Sequence, residues 1–143
     1  MIRIFSYTLA AIFIISAYFV SAAPANNCDK YRITSPVVPF SATDGQCYVV
    51  SYDLSQVKGS HTITVELYDS STKKKVSTLV DNESTTGRIS TSWFNMDVGK
   101  SHKSGKYYYH ISFDNGKNCP PVNSPVIDVT YNKNSPPSTC ISN

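Results

Sequence analysis

Glutamate is scarce in this chain, with only Glu66 and Glu83 among ten acidic residues. Glycoside hydrolysis needs two opposed carboxylates in a cleft. The acids on strand-like stretches, Asp53, Glu66, Asp114 and Asp128, all fall on the outward parity of those strands, where they read as solvated charge. The nucleophile elbow Gly-x-Ser-x-Gly is missing, and no cysteine stands free of a bridge as a candidate nucleophile. No two cysteines have the close spacing of a metal knuckle, and His61, His102 and His110 are far apart, so no metal or other cofactor is expected. Basic residues are scattered apart from Lys73-Lys74-Lys75, which reads as a solvated turn and gives no nucleic-acid footprint. Helical periodicity is absent throughout the chain after residue 22. These absences point away from catalysis and toward a non-catalytic role.

One long apolar run exists, Leu9 to Val20, preceded by the basic Arg3 and followed by Val20-Ser21-Ala22. It is short for a bilayer span, which needs about 20 residues. With small residues at the positions a signal peptidase reads, residues 1–22 form a secretory signal. Cleavage after Ala22 avoids placing Pro24 directly at the cut. Residues 23–143 are then a single domain of roughly 120 residues with no membrane span. Its net charge, +3 for the whole chain, falls to about +2 without Arg3.

Strand alternation dominates what remains. Lys106 to Asp114 places Tyr107, Tyr109, Ile111 and Phe113 on one face and Tyr108, His110, Ser112 and Asp114 on the other. Tyr31 to Ser35 is a first strand, stopped by Pro36 and Pro39. Gln46 to Leu54 puts Tyr48, Val50, Tyr52 and Leu54 inward, and His61 to Asp69 does the same with Ile63, Val65 and Leu67. Lys74 to Val80 is a shorter strand, followed by an exposed loop at Asp81–Ser84. Thr86 to Phe94 offers Ile89, Thr91 and Trp93 as its buried face, and Pro125 to Tyr131 is the last strand. About seven short strands separated by turn signals predict an all-β, immunoglobulin-like or fibronectin III-like antiparallel sandwich.

Four cysteines, an even number in a secreted small domain, predict two disulfides. If the strands run A, B, C, C′, E, F, G, the start of A and the F–G loop share one pole, and the start of B and the end of G share the other. Cys28 should then meet Cys119, and Cys47 should meet Cys140. Asn82-Glu83-Ser84 is an N-glycosylation sequon, which marks Asn82 as a surface residue.

On the outward face of strands C, F and G the residues Glu66, Tyr68, Tyr108, His110 and Asp128 should lie side by side. Aromatic faces flanked by hydrogen-bonding groups suit sugar rings, whose C–H faces stack while their hydroxyls pair at the edge. These five are the candidate ligand-binding residues; no catalytic residue is expected. The inward tyrosines Tyr48, Tyr52, Tyr107, Tyr109 and Tyr131 either fill the core or line a cavity for an apolar ligand.

Ile33-Thr34-Ser35-Pro36, the turn at Gly45, Val50-Ser51-Tyr52-Asp53-Leu54, Ile63-Thr64-Val65-Glu66-Leu67-Tyr68-Asp69 and Ser124-Pro125-Val126-Ile127 together carry a resemblance. Over Tyr31 to Tyr131 the chain resembles the immunoglobulin-like N-terminal domain of fungal cell-wall β-glucan assembly proteins and of Ser/Thr-rich GPI-anchored surface proteins. A tyrosine stands in the second strand where those domains tend to carry tryptophan. With no Ser/Thr-rich stalk or hydrophobic tail, this would be a free-standing secreted version. The resemblance implies a role at the cell wall, and brings no catalytic residue with it. The expected protein is secreted, extracellular or in the cell wall, and binds a cell-wall polysaccharide or an extracellular protein rather than nucleic acid. The alternatives are a sandwich carrying a sterol or phospholipid, and a secreted effector or inhibitor of a protein partner.

Overall fold

A computed structural model describes residues 27–85, 89–134 and 139–140, and nine strands, the longer ones alternating, are found among them. The strands are β1 (Arg32–Ser35), β2 (Phe40–Thr43), β3 (Cys47–Asp53), β4 (His61–Asp69), β5 (Lys75–Thr85), β6 (Ile89–Asn95), β7 (Gly105–Phe113), β8 (Val122–Asn123) and β9 (Ile127–Thr130). The expected signal segment, the first residues of the expected Thr86–Phe94 strand and part of the C-terminal tail lie outside the described residues.

Two sheets form. One has the order β1-β3-β6; the other runs β2-β9-β7-β4-β5, with β8 also on β7. In letters this is A-B-E against A′-G-F-C-C′, the strand order of an immunoglobulin-like sandwich. The chain switches sheets between β1 and β2, and β2 then pairs parallel to β9. This short strand had no counterpart in the sequence reading. The last strand is interrupted at Ser124-Pro125: proline has no N–H to give the ladder, and Ser124 Oγ instead accepts the Tyr109 amide at 2.9 Å.

The core sits between the sheets. Ile63, Val65 and Leu67 of β4 are completely buried, as is Tyr109, with Tyr107, Ile111 and Phe113 of β7 nearly so. Burying each of the β4 side chains is worth about 1.5–3 kcal/mol. The inward tyrosine rings pack on their neighbours: Tyr52 lies 5.5 Å from Phe113, and Tyr109 lies 5.3 Å from Phe94, both edge-on. Such contacts add about 0.5–1.5 kcal/mol beyond area alone.

Cys28 is bonded to Cys119 and Cys47 to Cys140, the pairing expected from the topology. Each bridge ties a chain end to the sandwich at one pole. Such bonds form in an oxidising compartment and not in the reducing cytosol.

Two expectations are corrected. Trp93 is not core: it is 43% exposed, and Ile89 is 74% exposed. Residues opposite each other in an antiparallel pair share a face, and β3 presents Tyr48, Val50 and Tyr52 inward against Phe94, Ser92 and Ser90 of β6. The small Ser92 makes room for the Tyr52 ring and meets its hydroxyl at 3.3 Å. Hydrophobicity favoured Ile89 and Trp93; pairing with β3 placed the serines inside.

Asp81–Ser84, expected as a loop, belongs to β5. The β5 ladder shifts register against β4 three times, once around Asn82, where φ is +49°. A left-handed asparagine accommodates such a bulge, and its amide donates to Thr64 Oγ1 at 3.1 Å. Repeated bulges also make this edge strand a poor template for pairing with another chain. Asn82 itself is exposed, as the sequon reading required.

Candidate functional site

Register brings four of the five candidate residues together. Tyr68 of β4 faces Tyr108 of β7, and Glu66 faces His110 in the next outward row. The Tyr68 and Tyr108 rings stack at 5.7 Å with 30° between planes, while His110 lies 4.8 Å from Tyr68. Tyr68 donates its hydroxyl to Glu66 Oε2 at 3.4 Å. Burial and the adjacent Glu66 carboxylate push the Tyr68 hydroxyl pKa upward.

Each polar member of the face is already oriented. Lys75 Nζ donates to Glu66 Oε1 at 2.9 Å, an exposed pair worth at most about 1 kcal/mol. His110 Nδ1 is 2.8 Å from Asn123 Oδ1, so β8 fixes the imidazole. Asp128 lies farther along the face on β9, opposite Lys106, whose ammonium it accepts at 3.1 Å.

Tyr108 departs from the expectation of an open outward residue. It is only 8% exposed. Lys73, in a turn where its φ is +59°, holds its ammonium 5.2 Å over the Tyr108 ring. Tyr68 covers the ring from the side, so the accessible aromatic surface is that of Tyr68 and His110. Tyr108 backs the Tyr68 ring as its stacked cross-strand neighbour.

A second surface was missed from sequence. Trp93 and Val49, paired across β6 and β3, border a groove of about 390 Å³ with Pro36, Val37 and Val38. Val37 and Val38 are 64% and 63% exposed. Two consecutive valines between Pro36 and Pro39 could have signalled this patch, because prolines keep that segment out of the sheet interior.

At the pole holding the Cys28–Cys119 bridge, His61 Nδ1 meets Asp114 Oδ2 at 2.7 Å and its Nε2 meets the Lys58 carbonyl at 3.1 Å. Burial acts to raise the Asp114 pKa, but His61, the Thr62 amide and Asn118 outweigh it and hold the carboxyl below its ordinary value. The group ties the start of β4 to the end of β7. Among the described residues, no three His, Cys, Asp or Glu side chains are grouped as metal ligands.

No protein-family model and no curated protein matches the chain. Several solved structures are similar in fold. A chain in the crystal structure of Dpr1 IG1 bound to DIP-eta IG1 aligns over 70% of this chain and 95% of its own at 16% identity and a TM-score of 0.33. A fibronectin(III)-like module of Clostridium thermocellum CbhA aligns over 69% and 93% at 20% identity and 0.35. An uncharacterized Bacillus anthracis protein aligns over 65% and 84% at 12% identity and 0.40.

Proposed function

We propose that the chain is a secreted, non-catalytic binding domain whose β4–β7 outer face takes polysaccharide, in keeping with the cell-wall resemblance. The observation that carries this reading is the contiguous set Tyr68, Tyr108 and His110 with Glu66 at its edge. A sugar ring laid on Tyr68 would find the Glu66 carboxylate and the His110 imidazole within reach of its hydroxyls, the division of labour that aromatic–polar faces serve. Two disulfides support extracellular work, and residues 1–22 supply the export signal. The packed tyrosine rings of the interior favour this reading over a lipid carrier.

The test is retention of the oxidised protein on insoluble β-glucan, chitin and mannan. Wild type should be held by one of them and Tyr68→Ala should elute early while its circular dichroism shows a folded protein. Equal retention of the two proteins would remove the face from consideration. A second reading, a protein partner, is favoured by the exposed Val37, Val38 and Trp93 patch. It predicts that Trp93→Ser abolishes capture of that partner and leaves glycan retention alone.

A further inference from the structure

Lysines from two separate stretches of sequence converge at one end of the sandwich. The β4–β5 turn carries Lys73 and Lys74, Lys75 opens β5, and the loop before β7 carries Lys100 and Lys103, all exposed. Because Asp69 pairs with Tyr107, turn and loop leave the sheet side by side. Gly99 locks them together: its φ is +69°, and a Cβ there would sit 2.9 Å from the Val76 carbonyl oxygen. Between turn and loop lies a cleft of about 600 Å³ bordered by Lys74, Lys75, Lys100 and Lys103, a size within the roughly 300–1,000 Å³ of ligand sites.

Two carboxylates, Asp69 and Asp97, also line the cleft and offset part of its positive charge. Asp69 Oδ1 accepts from the Ser71 amide, the Ser71 hydroxyl and the Thr72 amide at 2.8, 2.6 and 2.8 Å. Asp97 Oδ1 accepts from the Gly99 amide at 2.7 Å. Lys75 is matched by Glu66. Among the described residues Lys74, Lys100 and Lys103 have no carboxylate within ion-pair distance. Three lysines therefore face two carboxylates that hold their own loops, and the cleft stays net positive with no cation of the three fixed in an ion pair.

We infer that the cleft binds the anionic groups of an acidic polysaccharide, whose neighbouring rings continue onto Tyr68. The cleft and the aromatic face are continuous, because Lys75 borders one and pairs with Glu66 of the other, while Lys73 covers Tyr108. This inference rests on the polysaccharide reading above and specifies the ligand's charge. A carbohydrate fits better than a membrane, since the exposed Val37, Val38, Ile89 and Trp93 belong to the other sheet or its approach. It fits better than nucleic acid because the disulfides place the chain outside the cytosol.

The experiment compares dextran with dextran sulfate, which share a backbone, and adds polygalacturonate as a carboxylate source, with β-glucan, chitin and mannan run in parallel. Wild type should be retained by dextran sulfate or polygalacturonate, not by dextran, and released by rising salt. Lys74→Ser/Lys100→Ser/Lys103→Ser should bind the acidic polymer about 10- to 100-fold more weakly. These side chains are exposed, so its melting curve should match wild type. Retention on a neutral wall polymer with no preference for the acidic one, or a triple variant that binds like wild type, would overturn this inference and leave the polysaccharide reading standing. No retention on any glycan would end both. Equal affinity for single-stranded DNA or phosphatidylserine vesicles of matched charge would overturn the assignment to carbohydrate.

Discussion

Opening the Cys47–Cys140 bridge by Cys47→Ser/Cys140→Ser frees a loop of 93 residues. Taken alone, closing such a loop removes enough unfolded-chain entropy to stabilise the native state by about 4.6 kcal/mol. The second bridge shortens the path. With Cys28–Cys119 intact, the unfolded chain can travel from Cys47 back to Cys28, across the bond and on to Cys140, a ring of about 40 residues worth about 3.9 kcal/mol by the same relation. The ring is the same for either bridge, so Cys28→Ser/Cys119→Ser should cost a similar amount. Removing both should cost about 8–9 kcal/mol, which is comparable to the whole stability of an ordinary domain. Each single-bridge variant should melt roughly 15 °C below wild type, and the four-serine protein should be unfolded. Guanidinium unfolding followed by far-ultraviolet and by near-ultraviolet circular dichroism measures each loss and tests for two-state behaviour. A loss below about 1 kcal/mol for either bridge, or a difference above about 2 kcal/mol between them, would refute the loop-entropy reasoning.

Other perturbations test the packing and the charges. Tyr109→Phe should raise stability by about 1 kcal/mol in the same unfolding assay, because the buried Tyr109 hydroxyl has no hydrogen-bond partner among the described residues. Trp93→Ser should cost less than about 1 kcal/mol, whereas a core tryptophan would cost about 3–5, and native fluorescence should be that of an exposed indole. Gly99→Ala should destabilise by about 1 kcal/mol or more through its left-handed backbone and weaken acidic-polymer binding by loosening the lysine cleft. Asp69 is held down to about 2 and Asp114 is also lowered. Depressed folded-state values mean their stabilisation is complete above the unfolded value of about 4. It is lost as pH falls through the folded values, so melting temperature should be flat above about pH 5 and drop between about pH 4 and 2. Asp114→Asn should flatten part of that drop.

The strands most legible in sequence were β4 and β7, because apolar and polar residues alternate along most of their length, the run Tyr107-Tyr108-Tyr109 excepted. Ile63, Val65, Leu67, Tyr107, Tyr109, Ile111 and Phe113 all lie inside as their alternation required. The bridges followed from strand order alone. Trp93 failed because parity on β6 is set by its partner β3, and Trp93 and Phe94 are adjacent and equally apolar in appearance. The short β2 had too few residues to show a period, and its parallel pairing with β9 is made across the fold.

The candidate site divides along the same line. Cross-strand neighbours on β4 and β7 could be named from register, and Tyr68, Tyr108, Glu66 and His110 are indeed adjacent. Burial of Tyr108 could not be named, since it depends on a lysine reaching back from a turn. The basic cleft was hidden for a related reason: its two halves come from separate loops that meet only once the sheet is built.

The central claim is that the β4–β7 outer face receives a sugar. A titration of isotope-labelled oxidised protein with the oligosaccharide of whichever polymer retains it, read by amide and side-chain chemical shifts, addresses it most directly. Saturable shifts centred on Tyr68, Glu66 and His110, absent in Tyr68→Ala, are expected. Shifts confined to Trp93, Val49 and their neighbours on the opposite sheet, or no shifts at any concentration, would contradict it.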